Sequence, residues 1–165
     1  MHTHNALTVT APGEREIVIT RAFDAPRELV FDALTQPELL KRWFHGPDGW
    51  TLIVCEVDLR VGGAYRFVWS GPQGVEMGMG GEHREIERPA RIVRTERYDH
   101  DWTGGETVGT STLDERDGKT TLVTTVVYAS RAARDGALAS NMEQGIAAGY
   151  AKLDAFLADA STVSG

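Results

Sequence analysis

The chain has a single cysteine, Cys55, among its 165 residues. That excludes an internal disulfide and a Cys-x-x-Cys metal site. Its setting, Ile53-Val54-Cys55-Glu56-Val57, offers no adjacent base to activate a thiolate, so Cys55 reads as a small apolar strand residue. Basic residues are the minority, 17 Lys and Arg against 24 Asp and Glu, for a formal net charge of -7. A phosphate backbone selects a basic face, so nucleic acid is not an expected partner. No apolar run approaches the roughly 18 residues that a membrane span needs. The opening stretch MHTHNALTVTAPGE lacks the charged and apolar regions of a signal peptide. The expectation is a cytoplasmic protein without membrane contact. Gly-x-Ser-x-Gly, His-Glu-x-x-His, Walker and helix-opening Gly-x-Gly-x-x-Gly motifs are also missing, so neither a metal nor a nucleotide cofactor is expected.

What is present is ordinary globular composition, 41% apolar and 25% charged, in a length that suits one domain with its own core. Residues 1–13 are polar and read as a flexible arm that carries a His2-x-His4 pair. Glu16 to Phe23 alternates as a strand. Two short helices follow. The first is capped near Asp24 or Ala25, with Pro26 in its first turn, and is broken at Thr35-Gln36. The second starts at Pro37 and carries Leu39, Leu40, Trp43 and Phe44. Trp50 to Leu59 reads as a strand. In Ala64 to Ser70, Tyr65, Phe67 and Trp69 share one face and Arg66 takes the other. The next strand holds Val75, Met77, Met79, Gly81 and His83 on one parity, with a bulge or bend suggested at its glycines. Arg91–Asp99 is another strand, with polar residues on both faces. A loop containing Trp102 leads to a last hairpin, Thr107–Asp114 and Thr120–Tyr128.

From about Ser130 to Ala158 the pattern predicts one long amphipathic helix capped by Ser130. Leu138, Met142, Ile146, Gly149, Tyr150, Leu153, Phe156 and Leu157 form its apolar stripe, while Arg131, Arg134 and Asp135 take the polar side. Gly145 and Gly149 imply either close helix–sheet packing or room left between helix and sheet. The fold class is therefore α+β: an antiparallel sheet of six or seven strands against a long C-terminal helix, with two short helices after the first strand. The domain spans residues 14–158, and residues 159–165 form a tail.

The element order resembles the helix-grip fold of the START-like (SRPBCC) superfamily, in which a curved sheet wraps around the last helix. The segments LLKRWFHGPDGW, CEVDLRVGGAYRFVW and GGEHREIERPARIV resemble homologues of the activator of heat-shock-protein-90 ATPase. The matching residues are Trp43, Gly46, Pro47, Asp58, Arg60, Gly62, Gly63, Pro89 and Arg91. The usual Gly-Trp of the last helix reads Gly145-Ile146 here. The resemblance implies a cavity between sheet and helix and, by the family's name, a chaperone contact.

Such a cavity, lined by aromatic and Met side chains, is a small-molecule site. The expected ligand-binding residues are Trp43, Trp50, Phe67, Trp69, Met77, Met79, Tyr98, Met142 and Tyr150, joined by His83 on the parity of Met77 and Met79. The expected ligand is a hydrophobic or aromatic small molecule. One alternative is an enzyme of cyclase, hydrolase or dehydratase type with His83 or Glu96 as acid–base. Another is a chaperone-binding module, and homodimerisation is left open. Glu82, Glu85, Arg94 and Glu96 either provide a buried carboxylate–arginine pair or stand as solvated strand-face charges.

Overall fold

The computed structural model describes residues 6–100 and 104–163. His2, His4 and Trp102 lie outside the described residues. The strands are β1 (Thr8–Thr10), β2 (Glu16–Phe23), β3 (Thr51–Val57), β4 (Ala64–Ser70), β5 (Glu76–Glu87), β6 (Arg91–Tyr98), β7 (Thr107–Arg116) and β8 (Lys119–Val127). The helices are α1 (Arg27–Thr35), α2 (Pro37–Trp43), α3 (Arg131–Ala139) and α4 (Met142–Val163). All neighbouring strands are antiparallel, in the order β1-β2-β8-β7-β6-β5-β4-β3. This is the helix-grip arrangement, a curved open sheet with a long C-terminal helix and two short helices after the strand Glu16–Phe23.

The sheet has eight strands rather than six or seven. The added one, β1, comes from the segment expected to be a loose arm. Thr8, Val9 and Thr10 pair with Thr20, Ile19 and Val18, and Val9 packs beside Ile17 and Ile19. Three residues are too few to show a period, and the order of β1 is imposed by its partner strand.

The predicted long helix is two helices. Ser130 caps α3 as expected, its hydroxyl accepting the Ala133 N–H at 3.0 Å. The chain then turns at Ser140, whose backbone is extended. The Ser140 hydroxyl donates to the Ala137 carbonyl at 2.5 Å and accepts from the Met142 N–H at 3.3 Å. Ser140 and Asn141 followed by Glu143 are in fact start signals for a second helix. The break rotates α3 away from the α4 stripe. Leu138 is consequently exposed, whereas Arg134, expected on the polar side, is buried and donates to the carbonyl oxygen of Glu16 at 3.1 Å. At the other end α4 continues to Val163, through most of the expected tail.

The alternation in β4 holds: Tyr65, Phe67 and Trp69 are buried while the Arg66 side chain is exposed and pairs with Asp99. The glycines of α4 do not press on the sheet. Gly145 is exposed and Gly149 half-buried, and a Cβ at either would meet nothing within 4 Å. The tight approach lies in the sheet instead: a Cβ on Gly81 would sit 2.0 Å from the Thr95 carbonyl oxygen, so β5 runs against β6 only because Gly81 has no side chain.

Leu153 and Leu157 place α4 on the sheet, fully buried among Phe23, Phe31 and Leu122. One ion pair fixes the position. Arg21 is the polar residue in the otherwise apolar inner row Ile17, Ile19, Phe23 of β2, and its guanidinium engages both carboxylate oxygens of Asp154. Asp154→Ala leaves that guanidinium buried without its carboxylate. A charged hydrogen bond contributes roughly 1.5–3 kcal/mol, so urea unfolding should show a loss in that range. An unchanged midpoint would mean the pair is as idle as an exposed one.

Candidate functional site

The short helices are locked before they enclose anything. The Trp43 indole N–H donates to the Ala33 carbonyl at 2.9 Å, which joins α2 to α1. The Trp69 indole N–H donates to the Phe44 carbonyl at 2.9 Å, which ties the end of α2 to β4. Phe44 then stands edge-on to Phe67 and Trp69, with ring centroids 5.3 and 5.1 Å away, a favoured aromatic geometry. Lys152 reaches from α4 to the Gly46 carbonyl at 2.6 Å. At the start of α1 a free backbone N–H, that of Arg27, is taken by the Glu115 carboxylate of β7 at 2.8 Å.

Between these helices and the inner face of β6, β7 and β8 lies a cavity of about 160 Å³. The helices contribute Phe31, Leu34, Leu40, Trp43, Phe44 and Tyr150, and the sheet contributes Phe67, Ile92, Leu113 and Leu122. Its polar groups are Thr35, Arg94, Ser111 and Thr124 together with the Tyr150 hydroxyl. Thr35 is spent on the Phe31 carbonyl at 2.8 Å. The Ser111 and Thr124 hydroxyls share a hydrogen bond at 3.0 Å, and Tyr150 bonds to Thr124. Burial pushes the Tyr150 hydroxyl up to about 12, so it stays a neutral donor. A second, larger concavity of about 590 Å³ lies outside, between α1, α2 and α4, walled by Leu29, Leu39 and Phe156 and rimmed by Arg42, Lys152 and Asp159. Both spaces are partly open to solvent, and the inner one is somewhat the more enclosed.

Of the residues singled out in the sequence, Trp43, Phe67 and Tyr150 meet on the wall of the inner cavity. The others sit elsewhere. Trp50 lies flat against Gly71, where a Cβ would come within 2.5 Å of its ring. Trp69 and Met79 are core residues beside Phe67, and Met77 and Tyr98 pack at the margin of that core. Met142 belongs to a separate cluster with Ile17, Ile19 and Tyr128. The wall residues not foreseen come from α1 and α2 and from the facing strands β6, β7 and β8. Their apolar spacing was visible, but where two short helices settle on a sheet is a tertiary fact that no local period carries.

His83 does face inward, yet it is sealed. It is 1% exposed, its ring lies 5.5 Å from that of Tyr65, and its Nδ1 is 3.1 Å from the Gly63 carbonyl. Backbone bonds run both ways between the same segments, from Gly62 N–H to the His83 carbonyl and from His83 N–H to the Gly63 carbonyl. The histidine thus pins β5 to the Arg60-Val61-Gly62-Gly63 turn. Burial, and then the nearby charge of Arg94, lower its pKa, so the imidazole is neutral at pH 7.

Of the two arrangements open to this group, the buried arginine–carboxylate pair is not formed among the described residues. Arg94, Glu96 and Tyr98 share the inner parity of β6 with Ile92, but no ion pair joins Arg94 to Glu82, Glu85 or Glu96 among the described residues. Glu85 pairs with Arg91 at 3.5 Å instead. The Arg94 guanidinium lies 4.4 Å over the Tyr65 ring. Glu96 has its carboxyl pushed up by burial, against a smaller lowering by Arg94. Burial likewise raises the Cys55 thiol, against a smaller lowering by Lys41, which disfavours its thiolate. Among the described residues no group of three or more His, Cys, Asp and Glu side chains is placed to hold a metal ion.

Sheet, enclosing helices and internal cavity define a helix-grip protein of the START-like superfamily. Residues 24–158 match the family described as activator of Hsp90 ATPase homolog 1-like protein, and the chain belongs to that family. Its structure is similar to the crystal structure of a Rhodobacter sphaeroides protein. The TM-score there is 0.88 and the identity 34%, over 93% of this chain and 99% of that one. A protein from Chromobacterium violaceum is also similar, with a TM-score of 0.74 and 28% identity, over 87% of this chain and 96% of the other. A Staphylococcus epidermidis protein solved in solution gives a TM-score of 0.80 at 25% identity, over 92% and 94% of the two chains. No curated protein matches by sequence.

The sealed histidine has a measurable consequence. Its folded pKa lies below the unfolded value of about 6.5, so as pH falls through that value the unfolded chain takes up a proton that the folded one refuses. Stability from this group is present above pH 6.5 and declines towards pH 5. His83→Leu should lose less stability than wild type between pH 7 and pH 5 in parallel urea titrations. Equal slopes would mean that His83 protonates freely in the folded state.

Proposed function

We propose that this protein binds a hydrophobic or aromatic small molecule in the cavity between the sheet and α1, α2 and α4. The observation that carries the reading is the cavity's size and wall together. A cavity of roughly 150 Å³ lined by Leu, Ile and Phe stays dry and takes up benzene. Here a partly open cavity of about 160 Å³ is walled largely by Phe31, Leu40, Trp43, Phe44, Phe67 and Leu122. One aromatic ring fits that space, and steroid- or lipid-sized ligands require the helices to part. A cytoplasmic location is part of the proposal and rests on the sequence; among the described residues no helix is long and apolar enough to cross a membrane.

The enzyme alternative now favours Glu96 over His83. Neither residue is on the cavity wall; the Glu96 carboxyl is raised by burial on the strand face that carries Arg94, whereas the His83 ring is engaged with Gly63. The chaperone alternative rests on the family's description alone.

Toluene tests the binding reading. Titrated into the wild-type protein, it should shift the methyl resonances of Ile92, Leu113 and Leu122 and change tryptophan emission through Trp43. Ile92→Trp fills the space and should abolish both responses while the fold persists. Overpacking costs roughly 1–3 kcal/mol, which circular dichroism and a melting curve will register. Unshifted methyls at saturating toluene in the wild type would contradict the proposal.

A further inference from the structure

The cavity has two unlike ends. Its inner sheet face can be followed as rows across β6, β7 and β8. Leu113 lies opposite Leu122, and the next row is Ile92, Ser111 and Thr124. The row beyond holds Arg94 opposite Gly109. The helices' aromatic residues and the leucine row make one end apolar, and Ser111, Thr124 and Arg94 make the other polar.

Arg94 is the unusual member. The other arginine on this inner face, Arg21, is paired with Asp154. Arg66 and Arg88 outside are paired with Asp99 and Asp32. Arg94 donates no hydrogen bond and forms no ion pair among the described residues, and its contacts are the faces of Tyr65 at 4.4 Å and Phe67 at 5.9 Å. A ring face attracts the charge but takes up none of the five N–H donors, which form a planar fork suited to a carboxylate. No fully enclosed side-chain nitrogen or oxygen among the described residues lacks a partner. The unpartnered nitrogens of Arg94 are therefore not fully enclosed, and the residue is on the cavity wall. That space is vacant on the β7 side as well: a Cβ on Gly109 would meet only the Arg94 carbonyl oxygen, at 4.0 Å.

Resting on the binding reading above, we infer that the ligand is a small aromatic monocarboxylic acid, with its ring at the leucine row and its carboxylate on the Arg94 guanidinium. The adjacent Ser111 hydroxyl is a second, neutral group for the carboxylate. Glu96 forms no ion pair with Arg94 among the described residues; burial raises its carboxyl, and Arg94 lowers it by less. A charge-assisted contact in a half-buried site discriminates strongly against a neutral isostere, because the amide leaves the fork unmatched.

The test compares benzoate with benzamide at pH 7 by calorimetry, on the wild-type protein and on Arg94→Met, with toluene as the neutral control. In the wild type benzoate should bind at least tenfold more tightly than benzamide. Arg94→Met should lose that preference. Arg94→Lys, which keeps the charge but not the fork, should retain part of it. Benzamide binding as tightly as benzoate to the wild type would overturn the inference while toluene binding still upholds the cavity. Absence of toluene binding would bring down the binding reading itself. The wild-type ratio needs no variant to fold, so it decides the matter even if Arg94→Met does not.

Discussion

Among the described residues the buried guanidinium of Arg21 pairs with one carboxylate, Asp154, and that pairing decides where the last helix crosses the sheet. The charge sits in the middle of an apolar row, so leaving it unmatched costs more than a typical surface contact returns. With Asp154 fixed, Leu153 and Leu157 on either side of it fall into the core between Phe23 and Leu122. Tyr150, one turn earlier, then turns edge-on to Phe23 at 5.2 Å, with its hydroxyl on Thr124.

The cavity follows from this placement. One helix cannot cover the concave face of an eight-stranded sheet, and α1 and α2 close what remains. Their position is fixed by three indole and backbone contacts that are polar and directional: Trp43 to Ala33, Trp69 to Phe44 and Glu115 to Arg27. Directional bonds set the helices at a distance that side-chain volume does not fill completely. The residual space lies over β6, β7 and β8, where Gly109 and Ser111 present the least bulk. The same strands carry Arg94, so the gap has a cation at one end and leucines at the other.

Much of this was legible in the sequence. Alternation fixed the facing of Tyr65, Phe67 and Trp69, because those side chains obey a period of two. The helix positions of Leu153 and Leu157, the Ser130 cap and the two short helices after Glu16–Phe23 were equally local. What was hidden depended on partners distant in the chain. The strand Thr8–Thr10 forms because Val18–Thr20 offers an open edge. His83 points inward as its parity implies, but a carbonyl of Gly63 occupies it. Whether Arg94 is paired could not be read from the acidic residues near it in sequence: Glu85 is claimed by Arg91, and no ion pair joins Glu96 to Arg94 among the described residues. Of the aromatic and Met residues that looked alike in the sequence, three reached the cavity and the rest became packing. Residue type selects for an interior and does not say which part of it stays empty.

The central claim is that the space between sheet and helices accepts an aromatic ring. The most direct test is the anomalous difference map from a crystal of the wild-type protein equilibrated with bromobenzene. The account predicts a bromine peak enclosed by Phe31, Ile92, Leu113 and Leu122. A map with bromine only in the outer groove beside Leu29 and Phe156, and none over Leu113 and Leu122, would contradict it.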